Sequence, residues 1–410
     1  MSSESLLAVL RFRNFRNLWI GSLSSYAGQW IQQATIAWLA YDMTGSSSML
    51  GVILGMRAIP MFLCAPLAGV AADRYNRRNL LLASQLLSAS TALLFGIVLA
   101  SGAAQVWHLL IFVLVSGVAA VLDRPVRLTI IFDLVPRESA MQAVALNMIA
   151  FSITRVCGPA AAGYLIGWFG AAGNLFVQSA AYFIAAATAL VIVFPRHRPR
   201  ATGRSAFAEL AEGVRFAFTD PSARVLLPTG IVVFYLLVPV FAGLLPIYTK
   251  DIYRAGPEVL GVLLTSVGAG GVAGGWFAGK CMRYVRQGMV QAYAIFVMSA
   301  AFLGLAIAPG VAYACAALAV AGAGEILLFT SNQATLQMCV PEAMRGRMAS
   351  LQQLYPGFIG LGVLTEGVLV DFIGIRSVTV LIAIAAAALT CMLLTARGGL
   401  GAVRVGSVEL

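Results

Sequence analysis

The sequence predicts an all-α polytopic membrane protein, with twelve transmembrane helices arranged as two pseudo-symmetric six-helix bundles. Three observations predict it. Of the 410 residues, 60% are hydrophobic and only 10% are charged, against about 25% charged in an ordinary soluble chain. The charges are gathered in short clusters between apolar runs of about 20 residues, the length that carries a helix across a bilayer. The only long polar stretch divides the chain nearly in half. A mean hydropathy of +0.90 agrees with all three and leaves no room for a sizeable soluble domain.

In chain order the apolar spans fall at 17–41, 48–72, 80–101, 106–123, 142–168 and 174–194, then at 225–248, 259–280, 289–308, 311–337, 349–371 and 377–396. Residues 1–194 therefore form an N-terminal six-helix bundle and 223–410 a C-terminal one with a short cytoplasmic tail. Residues 195–222, which begin PRHRPRATGRS, form a cytoplasmic linker. An internal repeat supports the division. Asp73-Arg74-Tyr75-Asn76-Arg77 after the second span is answered by Met282-Arg283-Tyr284-Val285-Arg286 after the eighth, and Val135-Pro136 after the fourth by Val340-Pro341 after the tenth. Duplicated halves with a binding site between them are a recurring transporter plan.

Charge sets the orientation. With the N-terminus inside, 22 of the 27 Lys and Arg residues lie in inside segments. Only Lys250, Arg254 and Arg376 lie outside, while Arg57 and Arg155 lie within spans. Cationic loops resist translocation, so both termini are expected in the cytoplasm. The same asymmetry accounts for the net charge of +11, which in a soluble chain would suggest nucleic acid; no nucleic-acid partner is expected here. The six cysteines sit in or beside apolar spans without paired spacing and read as packing residues. No cleaved signal peptide is expected at the N-terminus. His108 and His197 are the only histidines, too little material for a histidine-centred metal or catalytic site. Gly274-Gly-Trp-Phe-Ala-Gly279-Lys280-Cys281 has phosphate-loop spacing up to the lysine, but it ends in Cys and lies in an apolar helix rather than after a strand.

The run YDMTGSSSMLGVILGMRAIPMFLCAPLAGVAADRYNRRNLL spans an outer loop, the second span and the loop beyond it. Within it Gly69, Asp73, Arg74, Arg77 and Arg78 resemble the loop motif of the major facilitator superfamily. Arg155-Val-Cys-Gly158-Pro159-Ala-Ala-Ala-Gly163 in the fifth span is similar to that superfamily's antiporter motif, with Ala162 in place of one of its two final glycines. VPEAMRGRMAS after the tenth span is similar to its bacterial drug and siderophore exporters, a group that includes an enterobactin exporter. The resemblance covers essentially the whole chain. It implies export of small organic compounds with protons entering in exchange. The energy source would then be the proton gradient, with no cofactor, and the location a bacterial cytoplasmic (inner) membrane. It also implies that the Asp73 carboxylate caps the N-terminal end of the eleventh helix and pairs with an arginine near the fourth, for which Arg124 and Arg127 are available. The cluster would act as a conformational gate.

Individual residues carry the rest. A Gly158-Pro159 pair within a span bends a helix whose freed carbonyl neighbouring helices can satisfy, and Gly163 permits close packing. Charges inside spans are costly and normally face protein or water; Arg57, Arg155, Glu325 and Glu366 are such charges. They lie in the second, fifth, tenth and eleventh spans, whereas the third, sixth, ninth and twelfth, peripheral in this fold, have none in their interiors. Glu325, near the middle of the tenth span, is the first candidate for reversible protonation. Glu366 could share that task or pair with Arg57 or Arg155. Tyr26, Gln29, Trp30 and Gln33 put amide and aromatic groups midway along the first span, where they suit an amphipathic organic molecule; Asn147 and Asn332 could join them. Trp19, Trp38, Trp107 and Trp168, near span ends, read as interfacial anchors.

The function expected is secondary transport by alternating access, carried out by a monomer on a small organic substrate coupled to protons within the lipid bilayer. The alternatives are a proton-coupled importer or a lysolipid or lipid flippase of the same fold. A non-transporting membrane sensor would lack an appended signalling domain, and an intramembrane enzyme would lack a recognisable nucleophile or metal constellation.

Overall fold

A computed structural model describes residues 6–64, 75–193, 206–284, 286–395 and 399–402. Every regular element among them is helical. The helices are α1 (Arg13–Thr44), α2 (Ser47–Gly55), α3 (Arg77–Ala100), α4 (Val106–Leu134) and α5 (Ala140–Val191) in the first half of the chain. Then come α6 (Ala206–Thr219), α7 (Ala223–Val232), α8 (Val238–Ala242), α9 (Leu245–Ile247), α10 (Pro257–Tyr284), α11 (Gln287–Ala306), α12 (Val311–Cys339), α13 (Glu342–Gln352), α14 (Tyr355–Ile373) and α15 (Ile375–Thr395).

Ten stretches among the described residues are long and apolar enough to cross a membrane. One of them, Arg137–Val191, has 55 residues, more than twice the number a crossing needs. It reverses at Gly170, whose φ of 69° is a left-handed conformation that glycine adopts without a Cβ penalty. α1, with 32 residues, is also long enough to cross and carries the polar side chains of Gln29, Gln32 and Gln33. These elements are compatible with the twelve crossings expected.

By its contacts the chain divides into two compact units. The first is Met1–Met43, Ile59–Gly203 and Gly256–Gly261; the second is Thr44–Ala58, Arg204–Ala255 and Val262–Leu410. Each unit thus takes in a short segment from the other half of the sequence: α2 belongs with the second unit and the start of α10 with the first.

In the first unit an apolar cluster joins α1, α3, α4 and α5 through Phe15, Leu18, Leu81, Val126, Ile130 and Leu146. Farther along, polar groups stitch the sixth crossing to the first. Asn174 Nδ2 donates to Thr35 Oγ1 at 2.6 Å, and Gln178 Nε2 and Tyr182 OH both donate to Gln32 Oε1, at 3.1 and 3.0 Å. Such bonds hold helices together where lipid supplies no hydrophobic drive for association.

In the second unit the seventh crossing is interrupted. α7, α8 and α9 are separated by a π-helical turn at Val233–Leu237 and a break at Gly243, and a second π-helical turn follows at Tyr248–Ile252. Pro239 and Pro246 lack the N–H that a regular helix needs, and π turns are a common way to absorb such a mismatch. α6, in the stretch expected as a linker, packs within the second unit on α13: Gly213 lies against Arg347, whose Nη1 meets Glu212 Oε1 at 2.6 Å.

The helices expected at the periphery expose apolar side chains, among them Leu94, Ile184, Tyr293 and Ile384. Two of the four predicted tryptophan anchors differ from expectation. Trp38 is buried, because α1 is enclosed along most of its length, and Trp19 Nε1 donates to the Leu146 carbonyl at 3.0 Å. Trp107 and Trp168 are exposed, as an interfacial anchor requires.

Candidate functional site

Within the first unit, α1 and α5 build an aromatic platform in the middle of the membrane span. The Tyr26 ring meets Phe151 edge-on at 5.4 Å, the Trp30 ring lies 5.7 Å from Phe151, and the Arg155 guanidinium sits 5.7 Å from the Trp30 ring centre. These distances suit aromatic pairing and cation–π attraction. Asn147 Nδ2 donates to Tyr26 OH at 3.0 Å. The Trp30 indole N–H is enclosed and has no hydrogen-bond partner among the described residues, so this flat apolar surface carries an unused donor. Gln29 and Gln33 flank it, half-buried. Phe151, which joins the two rings, was not singled out from sequence, where a lone Phe in an apolar run carries no signal.

The antiporter-like motif explains how the platform fits. A Cβ on Gly158 would stand 2.6 Å from the Trp30 Cβ, so the missing side chain is what lets α5 approach α1. On the neighbouring face, a Cβ on Gly163 would meet the Pro257 carbonyl oxygen at 2.5 Å, and one on Gly261 would meet that of Pro159 at 2.7 Å. This stretch of α5 therefore packs on both α1 and the start of α10.

Below the platform lies a buried ion pair between Asp123, which the sequence does not single out, and Arg127, expected from sequence as a gate residue. Asp123 and Arg127, both 2% exposed, face each other one turn apart on α4. Arg127 Nη2 donates to Asp123 Oδ1 at 2.8 Å and Nε to Oδ2 at 3.1 Å, while Nη1 donates to Ser22 Oγ at 3.0 Å. Gln85 Nε2 donates to Asp123 Oδ1 at 2.7 Å, and the guanidinium lies 5.6 Å from the Tyr26 ring centre. Tyr26 therefore touches both the ion pair and the platform. The i,i+4 spacing is present in the sequence, but the span it predicts ends at residue 123, whereas α4 runs to Leu134.

The second unit holds the acids. Glu366 on α14 is 2% exposed, and neither of its carboxyl oxygens has a hydrogen-bond partner among the described residues. Glu325 on α12 and Arg57 are half-buried. Asn332 is a hub. Its Nδ2 donates to the Leu226 carbonyl at 2.7 Å and to Gln291 Oε1 at 3.0 Å; its Oδ1 accepts from Gln352 Nε2 at 3.0 Å and from Tyr355 OH at 3.3 Å. That uses all four hydrogen-bonding positions of an amide.

Of the expected inner gate, Gly69, Asp73, Arg74 and the Arg124 side chain lie outside the described residues. Arg77 pairs with Asp133 near the end of α4, and Arg78 Nη2 donates to the Leu190 carbonyl at 2.7 Å. An apolar recess of about 170 Å³ opens in the first unit, lined by Ile59, Pro60, Leu63, Cys64, Leu114 and Val118. No group of His, Cys, Asp and Glu that could hold a metal occurs among the described residues.

Long apolar helices, buried charges between them and an aromatic platform in mid-span define a polytopic membrane transporter. The chain belongs to the transmembrane secretion effector family of the major facilitator superfamily, whose sequence profile matches residues 4–403. It is 25% identical over 364 residues to the staphyloferrin A transporter of Staphylococcus aureus, covering 85% of this chain and 88% of that one. It is 23% identical to the multidrug efflux pump Tap of Mycolicibacterium fortuitum, covering 87% and 89%, and 22% identical to macrolide efflux protein A of Streptococcus pyogenes, covering 69% and 70%. Among solved structures, the nucleoside transporter NupG (D323A mutant) matches with a TM-score of 0.79 at 13% identity, covering 92% of this chain and 98% of that one. An inward-facing bacterial homologue of the lysosomal transporter Spinster matches at 0.74 and 14%, covering 92% and 96%. These two establish the fold. Transporters of this family work without a cofactor.

Proposed function

We propose that the protein is a secondary active transporter that exports small organic compounds, drug-like molecules or siderophores, in exchange for protons by alternating access. It works as a monomer in a bacterial cytoplasmic membrane with both termini inside. The observation that carries the proton-coupled reading is Glu366, an enclosed carboxyl group with no hydrogen-bond partner among the described residues. A charged carboxylate is costly to bury in that state and a neutral one is not. The arrangement suits a group that holds a proton while enclosed and releases it when water reaches it. Glu325, less enclosed, is the second carrier. Substrate rests on the Trp30–Phe151–Tyr26 platform, with the Trp30 N–H and the Gln29 and Gln33 amides orienting it. Asp73, with Gly69 and Arg74, gates the inner side.

Export is favoured by the efflux and siderophore relatives. The flippase reading has one feature in its favour, the apolar recess, but its lining offers an acyl chain a seat and a headgroup no polar contact. Purified protein in vesicles tests the proposal. With an inward-directed proton gradient it should move a labelled macrolide or staphyloferrin A outward and release protons to the opposite side. Flux that ignores the gradient would sink proton exchange, and absence of flux with both probes would sink the substrate class.

A further inference from the structure

α2 is a short helix from the first half of the sequence that packs entirely within the second unit. Its first turn is capped twice. Ser46 Oγ accepts from the Met49 N–H at 3.2 Å, a local cap from the same loop. The Ser47 and Ser48 N–H groups instead donate to the two oxygens of Asp371, at 3.2 and 3.1 Å, and the Ser48 hydroxyl donates to the same carboxylate. Asp371 is more than 320 residues away in sequence, near the end of α14. A helix N-terminus has no internal partners for its first N–H groups and carries a partial positive charge. A carboxylate held there therefore has both hydrogen bonds and favourable electrostatics.

The two helices touch over their whole common length because small residues face each other. A Cβ on Gly51 would lie 2.8 Å from the Val363 carbonyl oxygen, and one on Gly55 would lie 3.2 Å from that of Gly360. Gly367 packs on Ser47 and Gly51. Gly360, Gly367 and Asp371 recur at helical spacing on one face of α14, so the glycines set the approach and Asp371 ends the seam at the rim that the charge asymmetry places outside.

We infer that Asp371 is the outer latch of the transport cycle: it holds the α2 N-terminus against α14 when the outer side is closed and must release it for that side to open. The inference rests on the alternating-access reading above. Asp371 is exposed at the rim, so water can replace the protein N–H groups when the seam parts, and the latch is reversible. Asp371 is a positioning residue; it touches no substrate.

The test compares two caps of one helix. In full-length protein in nanodiscs, with the native cysteines replaced, spin labels at positions 49 and 372 report the distance between the ends of α2 and α14. Asp371→Asn should raise the population of the long-distance state about five-fold, the ratio that corresponds to a capping contact of about 1 kcal/mol. Ser46→Ala removes the local cap, so it should lower helix stability without moving that population, and Asp371→Glu should restore part of the short-distance state. Equal behaviour of Asp371→Asn and Ser46→Ala, or no shift with Asp371→Asn, would overturn the latch. If Asp371→Asn does not fold, a Ser48→Cys/Asp371→Cys disulfide should stop macrolide flux reversibly on oxidation, and undiminished flux would overturn it equally. A parent-protein distance that stays fixed at acid and neutral pH, with and without macrolide, would count against alternating access and is read separately from the variants.

Discussion

Gly158 of α5 packs directly on Trp30 of α1, with no room for a methyl group between them: a Cβ at 158 would stand 2.6 Å from the Trp30 Cβ. Overfilling a packed interface of this kind costs about 1–3 kcal/mol. Gly158→Ala should therefore lower the thermal midpoint in detergent and reduce macrolide flux at least several-fold, since the substitution displaces the platform itself. Gly279→Ala, at an exposed site with nothing within 4 Å of the added carbon, should leave both unchanged. Equal midpoints for the two variants would contradict the close approach.

The Asp123–Arg127 pair makes a prediction of opposite kind. Removing one partner of a buried ion pair typically costs about 3–5 kcal/mol because the other charge is left uncompensated, whereas replacing both with apolar groups is often neutral. Asp123→Asn should express poorly and melt early. Asp123→Leu combined with Arg127→Met should recover most of the stability, while Ser22 and Gln85 lose one contact each. A double variant no better than the single would mean that the charges serve more than each other.

Much of the fold was legible in the sequence because lipid enforces it. The all-helical class and the apolar runs long enough to cross a membrane follow from where charges cannot go. Within the spans legibility fell off. Arg155, Glu366 and Trp30 stood out because a charge or a large ring in an apolar run is rare. Asp123 was hidden by its place at an apparent span end, and Asp371 by its ordinary position near a loop; its meaning depends on Ser47 and Ser48, which no local pattern links to it. The interruption of the seventh crossing was also hidden, since Pro239 and Pro246 signal a break without signalling two π turns. Asn332 looked like a cavity residue because an amide in a membrane helix fits either role, and only its four partners separate the two.

Glu366 and Glu325 are distinguished by charge neutralisation. Glu366→Gln keeps shape and polarity but cannot shed a proton. In vesicles it should still equilibrate a macrolide down its own gradient, while the acceleration by an imposed proton gradient disappears. Glu325→Gln should weaken that acceleration only in part, in keeping with its lesser burial. A gradient response that survives in Glu366→Gln but not in Glu325→Gln would transfer the carrier role to α12.

Asn332 gives the last test, between joining helices and touching substrate. Its amide is bonded to α7 through Leu226, to α11 through Gln291, to α13 through Gln352 and to α14 through Tyr355. Tyr355 keeps a second acceptor at the Leu227 carbonyl, 3.3 Å away. A stranded buried polar group costs about 1–3 kcal/mol, and Asn332→Leu strands several at once, so a clear loss of thermal stability is expected. Because the side chain has no hydrogen-bonding capacity left for a ligand, the molecules that remain folded should transport with unchanged KM. A raised KM at an unchanged melting midpoint would return Asn332 to the substrate cavity.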